Sequence, residues 1–177
     1  MNRREAVQKI TFLMGGMLSA PVMAGILGEK LNAGPSLQIT AEQEALLAEV
    51  ADVIIPTTST PGAKAAGAEQ FIIRVLRDCY PLADQEKFYT SLTQLNTDSK
   101  GTFGKSFTEL DAAQKNQLVK QLTTKDTAFF RRLKELTVTG YFTSEIGATQ
   151  ALEYLPVPGR FEACIPYKPG QKAWALG

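Results

Sequence analysis

The chain has 177 residues, which suits one domain and is thin for two. Hydrophobic residues make up 44% and charged residues 21%, an average soluble mixture that disfavours collagen-like, disordered and multi-span membrane classes. Lys plus Arg number 19 against 18 for Asp plus Glu; the resulting +1 supplies none of the concentrated basic surface on which nucleic-acid recognition rests, so no nucleic-acid partner is expected.

The chain opens with Arg3, Arg4 and Lys9, followed by the uncharged run ITFLMGGMLSAPVMAGIL from Ile10 to Leu27. A basic start before a mildly apolar stretch reads as a secretory signal. Gly15, Gly16, Pro21 and Gly25 make it a poor helix and a poor membrane span. The Arg3-Arg4 pair resembles a twin-arginine export signal, which carries folded cargo. The resemblance is partial, because Glu5-Ala6-Val7 follows where a bulky apolar residue and a lysine are common. Val22-Met23-Ala24 offers a small-residue cleavage site, so residues 1–24 are assigned as signal and 25–39 as linker; an uncleaved amphipathic or membrane-anchoring helix is the alternative. Export implies the periplasm, with or without association with the inner membrane.

Thr40-Ala41-Glu42-Gln43 has capping-box spacing, and Leu46, Leu47, Val50, Val53 and Ile54 recur at helical intervals until Pro56. Pro56 to Ala63, PTTSTPGA, cannot continue the helix, since two prolines lack donors and four hydroxyl residues compete for local bonds. A second helix starts at Ala68 and carries Phe71, Ile72, Val75, Leu76 and Cys79 on one face, ending before Pro81. A third is expected from Asp84 to Leu95, with a polar, glycine-containing stretch from Asn96 to Lys105 after it. A fourth begins near Thr108, and a fifth covers Lys125 to Val138. Gly140 to Gly147 then reads as a helix end, a turn and one more short helix capped by Thr143 or Ser144. No segment alternates with period two, so the expected fold is all-α: one bundle of about five helices over residues 40–152, with no sheet of consequence. Beyond it, residues 153–177 form an extended tail in which Pro156, Pro158, Pro166 and Pro169 alternate with Tyr154, Phe161, Tyr167 and Trp174. Aromatics at this density dock somewhere, either on the chain's own bundle or on a partner.

Reactive chemistry is hard to assemble from these residues. His is absent altogether, which removes the usual proton carrier and the commonest transition-metal ligand, and with them the Ser-His-Asp and Cys-His triads. No GxGxxG or GxxxxGK[ST] run is present to cradle a nucleotide. Cys79 and Cys164 lie 85 positions apart, neither a redox pair nor a cluster motif. In an oxidising compartment they are candidates for a disulfide with each other, for a bridge to another chain, or for free thiols. Glu145, Glu153 and Glu162 are the residues from which a glycosidase-type carboxylate pair would have to come, but nothing in their spacing places two in one cleft. No catalytic, cofactor-binding or metal-binding residue is assigned.

Two stretches resemble a known family. LAEVADVIIPTTSTPGAKAA, Leu47 to Ala66, and GYFTSEIGATQALEYLPVPGRFEAC, Gly140 to Cys164, are similar in order and spacing to the signature of the gluconate 2-dehydrogenase subunit 3 family. Together they cover about a quarter of the chain; Phe142 stands where a second tyrosine is often found, and the middle helices match only in being amphipathic. The resemblance implies a non-catalytic accessory subunit that accompanies a large FAD-containing subunit of the glucose-methanol-choline oxidoreductase (GMC) type. That subunit oxidises a sugar, sugar acid or glycoside and passes electrons toward a cytochrome c subunit. It further implies that the small subunit carries the export signal for both chains through the twin-arginine translocase. FAD is then expected in the partner, with no cofactor in this chain. A partner-facing surface is expected at Thr57, Pro61, Gly62, Ala63, Tyr141, Tyr154, Pro158, Gly159, Arg160 and Phe161, where prolines limit the entropy lost on docking and aromatics with Arg supply anchors. The alternative is a stand-alone periplasmic or membrane-tethered helical module without a dehydrogenase.

Overall fold

The computed structural model describes residues 37–153, 164 and 166–174. The export signal with Arg3 and Arg4, most of the linker, and the tail residues Tyr154, Pro158, Gly159, Arg160 and Phe161 lie outside the described residues. The described elements, in chain order, are α1 (Ala41–Ile54), α2 (Ala68–Cys79), α3 (Leu82–Phe103), a 3-10 turn (Phe107–Glu109), α4 (Ala112–Lys125), α5 (Thr127–Thr143), a π-helical turn (Gly147–Ala151), β1 (Leu152–Glu153) and β2 (Ala173–Trp174). The fold is all-α.

Helix α1 lies at the centre, packed against α2, α3, α4 and α5. Its start follows the expected box: the Gln43 amide donates to Thr40 Oγ1 at 3.2 Å while the Thr40 amide donates to Gln43 Oε1 at 3.1 Å, so two otherwise unpaired donors are satisfied. Leu46, Leu47 and Val50 point into a core completed by Ile72 and Leu76 of α2, Leu92 and Leu95 of α3, Leu118 of α4 and Leu133 of α5. Their spacing at three and four residues is what places them on single helical faces. Phe88 anchors one end of that core, edge-on to both Tyr89 and Phe129 at ring separations of 5.5 and 5.1 Å.

Three boundaries differ from the sequence expectation. Helix α3 does not stop at Leu95 but runs to Phe103, because its polar residues have interior work: Ser99 Oγ donates to the Lys105 carbonyl at 2.8 Å, and Asn96 Oδ1 accepts from the Phe107 amide at 3.0 Å. Helix α4 starts later than Thr108, which falls in the 3-10 turn; the cap is Asp111, whose Oδ1 accepts from the Gln114 amide at 2.8 Å. Helix α5 continues through Gly140 to Thr143, with Leu133, Leu136, Thr137 and Tyr141 buried along it. Ser144 then caps the following turn, as expected, by accepting from the Gly147 amide at 3.0 Å. Cys79 is also corrected: it is exposed at the end of α2, while Ala68, Ile72 and Leu76 form the buried stripe.

The strands make a minimal parallel pair, Leu152 opposite Ala173 and Glu153 opposite Trp174. The last described part of the tail thus pairs with the residues that follow the π-helical turn.

Candidate functional site: the loop after the first helix

Between α1 and α2 the chain must reverse without helix, and it does so as a loop fixed from below. The Ala63 amide donates to the Ile55 carbonyl at 2.8 Å, closing the loop at its base, and the Ala68 amide returns to the Ala63 carbonyl at 3.0 Å. Thr57 Oγ1 accepts from the Gly62 amide at 2.9 Å. Across the top, the Thr58 amide donates to the Thr60 carbonyl at 3.0 Å. The hydroxyl residues that stop the helix in sequence are therefore the ones that satisfy the loop's backbone.

Tyr141 of α5 locks this arrangement. The residue is 2% exposed, and its phenol donates to the Pro61 carbonyl at 2.9 Å, with Thr60 Oγ1 a second acceptor at 3.2 Å. Tyr141 belongs to a small second core with Ala51, Ala63 and Ala68, against which Ile55 and Ile146 pack. Gly62 lies where no side chain fits: a Cβ there would come within 2.7 Å of the Thr57 nitrogen and 2.8 Å of the Ile55 oxygen. Its lack of a side chain lets the loop close down on α1.

Of the residues expected to face a partner, Gly62, Ala63 and Tyr141 are buried within the chain and Pro61 is half-buried. They position the loop. Its exposed part is Pro56 to Ser59, including Thr57, and it carries no charge. Phe142, next to Tyr141 and edge-on to it at 5.1 Å, is exposed.

Charge gathers just beyond the loop. Glu49 of α1 receives Lys64 at 2.5 Å on one oxygen and Lys115 of α4 at 2.6 Å on the other. Burial raises the Glu49 pKa, but hydrogen bonds and attraction from Lys115 and Lys64 outweigh it and hold the carboxyl below its ordinary range. The carboxylate ties α4 and the loop's exit to α1. It is a structural clasp between elements.

A separate cleft of about 310 Å³ opens between α3 and α5, over Phe88 and Phe129, with Asp84, Lys87, Asp126 and Arg132 at its sides. Two of these charges serve the fold. Asp126 caps the Phe129 amide with one oxygen at 3.1 Å and accepts from Ser91 Oγ with the other at 2.8 Å. Arg132 stacks over the Tyr80 ring at 4.7 Å. Glu145 and Glu153 are both exposed, and Glu162 lies outside the described residues. Cys79 and Cys164 are exposed free thiols. Among the described residues no group of three or more His, Cys, Asp or Glu could hold a metal ion, and no helix is long and apolar enough to cross a membrane.

Sequence reasoning singled out the loop and Tyr141 but not the bond between them, and it missed Glu49 as a junction. The signal for the latter was a carboxylate beside the apolar stripe, at a position flanked by Ala48 and Val50.

No curated protein matches the chain, and no solved structure does. Residues 41–159 match the family model described as gluconate 2-dehydrogenase subunit 3, a span that takes in α1 to α5, the locked loop and Tyr141. The chain belongs to the gluconate 2-dehydrogenase subunit 3 family.

Proposed function

We propose that the chain is the non-catalytic small subunit and export escort of a periplasmic FAD-dependent dehydrogenase of the GMC type, acting on a sugar, sugar acid or glycoside. The observation that carries this reading is the family match, which covers the whole helical bundle and is to a family named as one subunit of a multi-subunit dehydrogenase. The geometry adds support. The chain spends a buried tyrosine, a glycine with no room for a side chain and a closed set of backbone bonds on holding an uncharged loop, Pro56 to Ser59, in one shape at its surface. A preorganised surface loop is suited to recognition, because little entropy remains to be lost when it docks.

In this reading FAD belongs to the large subunit, which binds it in the cytoplasm. The paired Arg3 and Arg4 direct the folded pair through the twin-arginine translocase, and electrons leave the flavoprotein toward a cytochrome c. Cys79 and Cys164, both exposed, remain open to an intrachain or interchain bridge after export.

The test is to purify the exported full chain by affinity, without reductant, from its native envelope. Flavin absorbance and acceptor-dependent sugar oxidation should come with it, and deleting the gene should leave the flavoprotein in the cytoplasm. Recovery of the chain alone, with sugar oxidation unaffected by the deletion, would favour the stand-alone module. The return of Ala173 and Trp174 onto the chain's own β1 is the observation on that side.

A further inference from the structure

Tyr167 is 76% exposed, whereas the other large exposed hydrophobic residues among those described, Leu82 and Phe142, are 37% and 38% exposed. Isolated surface apolar groups need no explanation, but this one borders a defined turn. Residues Lys168 to Gln171 form a turn in which the Gln171 amide donates to the Lys168 carbonyl at 3.0 Å. The Lys168 amide donates in return to Gln171 Oε1 at 3.2 Å. Pro169 and Gly170 occupy the corner, with Gly170 at φ +82°, the left-handed value that a type II turn requires at that position. Two residues after the turn, Ala173 and Trp174 pair with Leu152 and Glu153. Tyr167 therefore stands immediately before a turn closed on itself, which leads into the strand paired with β1, and prolines at 166 and 169 restrict the backbone around it.

An aromatic side chain on a backbone already restrained is the form that interface hot spots take, since the ring brings large area at the cost of two torsions. The surroundings define the partner's chemistry. Lys168 and Lys172 are exposed and neither forms an ion pair among the described residues; residues 166–174 contain no carboxylate side chain, and Glu153 of β1 is the one acidic residue lining the cleft beside Lys172. An anchor flanked by two exposed cations fits an apolar pocket with an acidic rim.

We propose that Tyr167 is a docking anchor that enters such a pocket on the large flavin-bearing subunit, with Lys168 and Lys172 meeting its acidic rim; this rests on the accessory-subunit reading above. The contact is separate from the loop after α1 and gives the subunit a second point of attachment.

The experiment takes the flavoprotein that co-purifies with the wild-type full chain, separates it, and titrates it against immobilised wild type, Tyr167→Ala and the double variant Lys168→Glu/Lys172→Glu. Tyr167→Ala should weaken binding at least about fivefold with an unchanged far-ultraviolet dichroism spectrum. The charge-reversed pair should associate more slowly and lose most of the salt dependence. A loss of less than about fivefold for Tyr167→Ala overturns the anchor, and unchanged association of the double variant overturns the acidic rim. If the wild type brings down no flavoprotein, the accessory-subunit reading itself fails. If it does and Tyr167→Ala binds equally, only the anchor fails.

Discussion

The phenol of Tyr141 donates to the carbonyl oxygen of Pro61 across 80 positions of sequence. This bond joins the last helix of the bundle to the loop that follows the first. Replacing Tyr141 by Phe keeps the ring among Ala51, Ala63 and Ala68 and removes only the donor, leaving a partly buried carbonyl unpaired. The expected loss is about 1 to 2 kcal/mol in urea unfolding. Hydrogen exchange should accelerate at Gly62 and Ala63, whose amides close the loop, and remain unchanged in α4. Uniform acceleration throughout the bundle would show that the bond supports the whole fold instead of the loop.

Gly62→Ala tests the same site from the other side. The added methyl would meet backbone atoms of Thr57 and Ile55, which cannot move aside as a flexible side chain could. The loop must lift, breaking the Ala63 to Ile55 bond, at a cost on the order of 2 kcal/mol or more. A thermal midpoint equal to that of the wild type would refute the close packing. If the loop docks on the flavoprotein, the variant should also co-purify less of it.

How much of this was legible in the sequence depended on what each residue was asked to do. Thr40 and Gln43 announced their capping box because both act locally, within one helical turn. The apolar stripe of α1 was legible for the same reason. The second half of α3 was not, because Asn96 and Ser99 face inward as hydrogen-bonding groups, and a polar residue in an interior position breaks the apolar period. Asp111 and Gln114 carried a cap signal overshadowed by the nearby Thr108. The loop was visible as Pro56 to Ala63, but whether Gly62 and Tyr141 faced a partner or each other's neighbourhood depended on how α1 and α5 meet, a long-range fact that local spacing does not encode.

Tyr89 offers a prediction of opposite sign. Its ring packs edge-on to Phe88 in the main core, its hydroxyl has no hydrogen-bond partner among the described residues, and burial pushes its pKa up to about 12. An unpaired buried hydroxyl costs more than it returns. Tyr89→Phe should therefore stabilise the chain, by about 1 kcal/mol in chemical denaturation. Ultraviolet titration should in addition show one tyrosine fewer ionising at the top of the alkaline range. Destabilisation by the substitution would mean that the hydroxyl has a partner, such as a bound water.

The final prediction concerns acid. Glu49 is held below the usual carboxylate range because Lys115 and Lys64 outweigh the effect of its burial, so its folded-state pKa lies under the unfolded one. A depressed carboxylate contributes stability that is present above the unfolded value, near 4.5, and is lost as pH falls through the folded value. Lys64 is largely exposed and its share is screened, whereas Lys115 is 14% exposed and carries most of the clasp. Glu49→Gln should cost on the order of 1 kcal/mol at neutral pH. The gap between wild type and variant should then close as pH is lowered below about 4.5, where the wild-type carboxyl takes up its proton and becomes nearly equivalent to the amide. Urea midpoints measured at several pH values read this directly. A gap constant down to the acid limit would show that packing, and not the charge on Glu49, joins α4 and the loop's exit to α1.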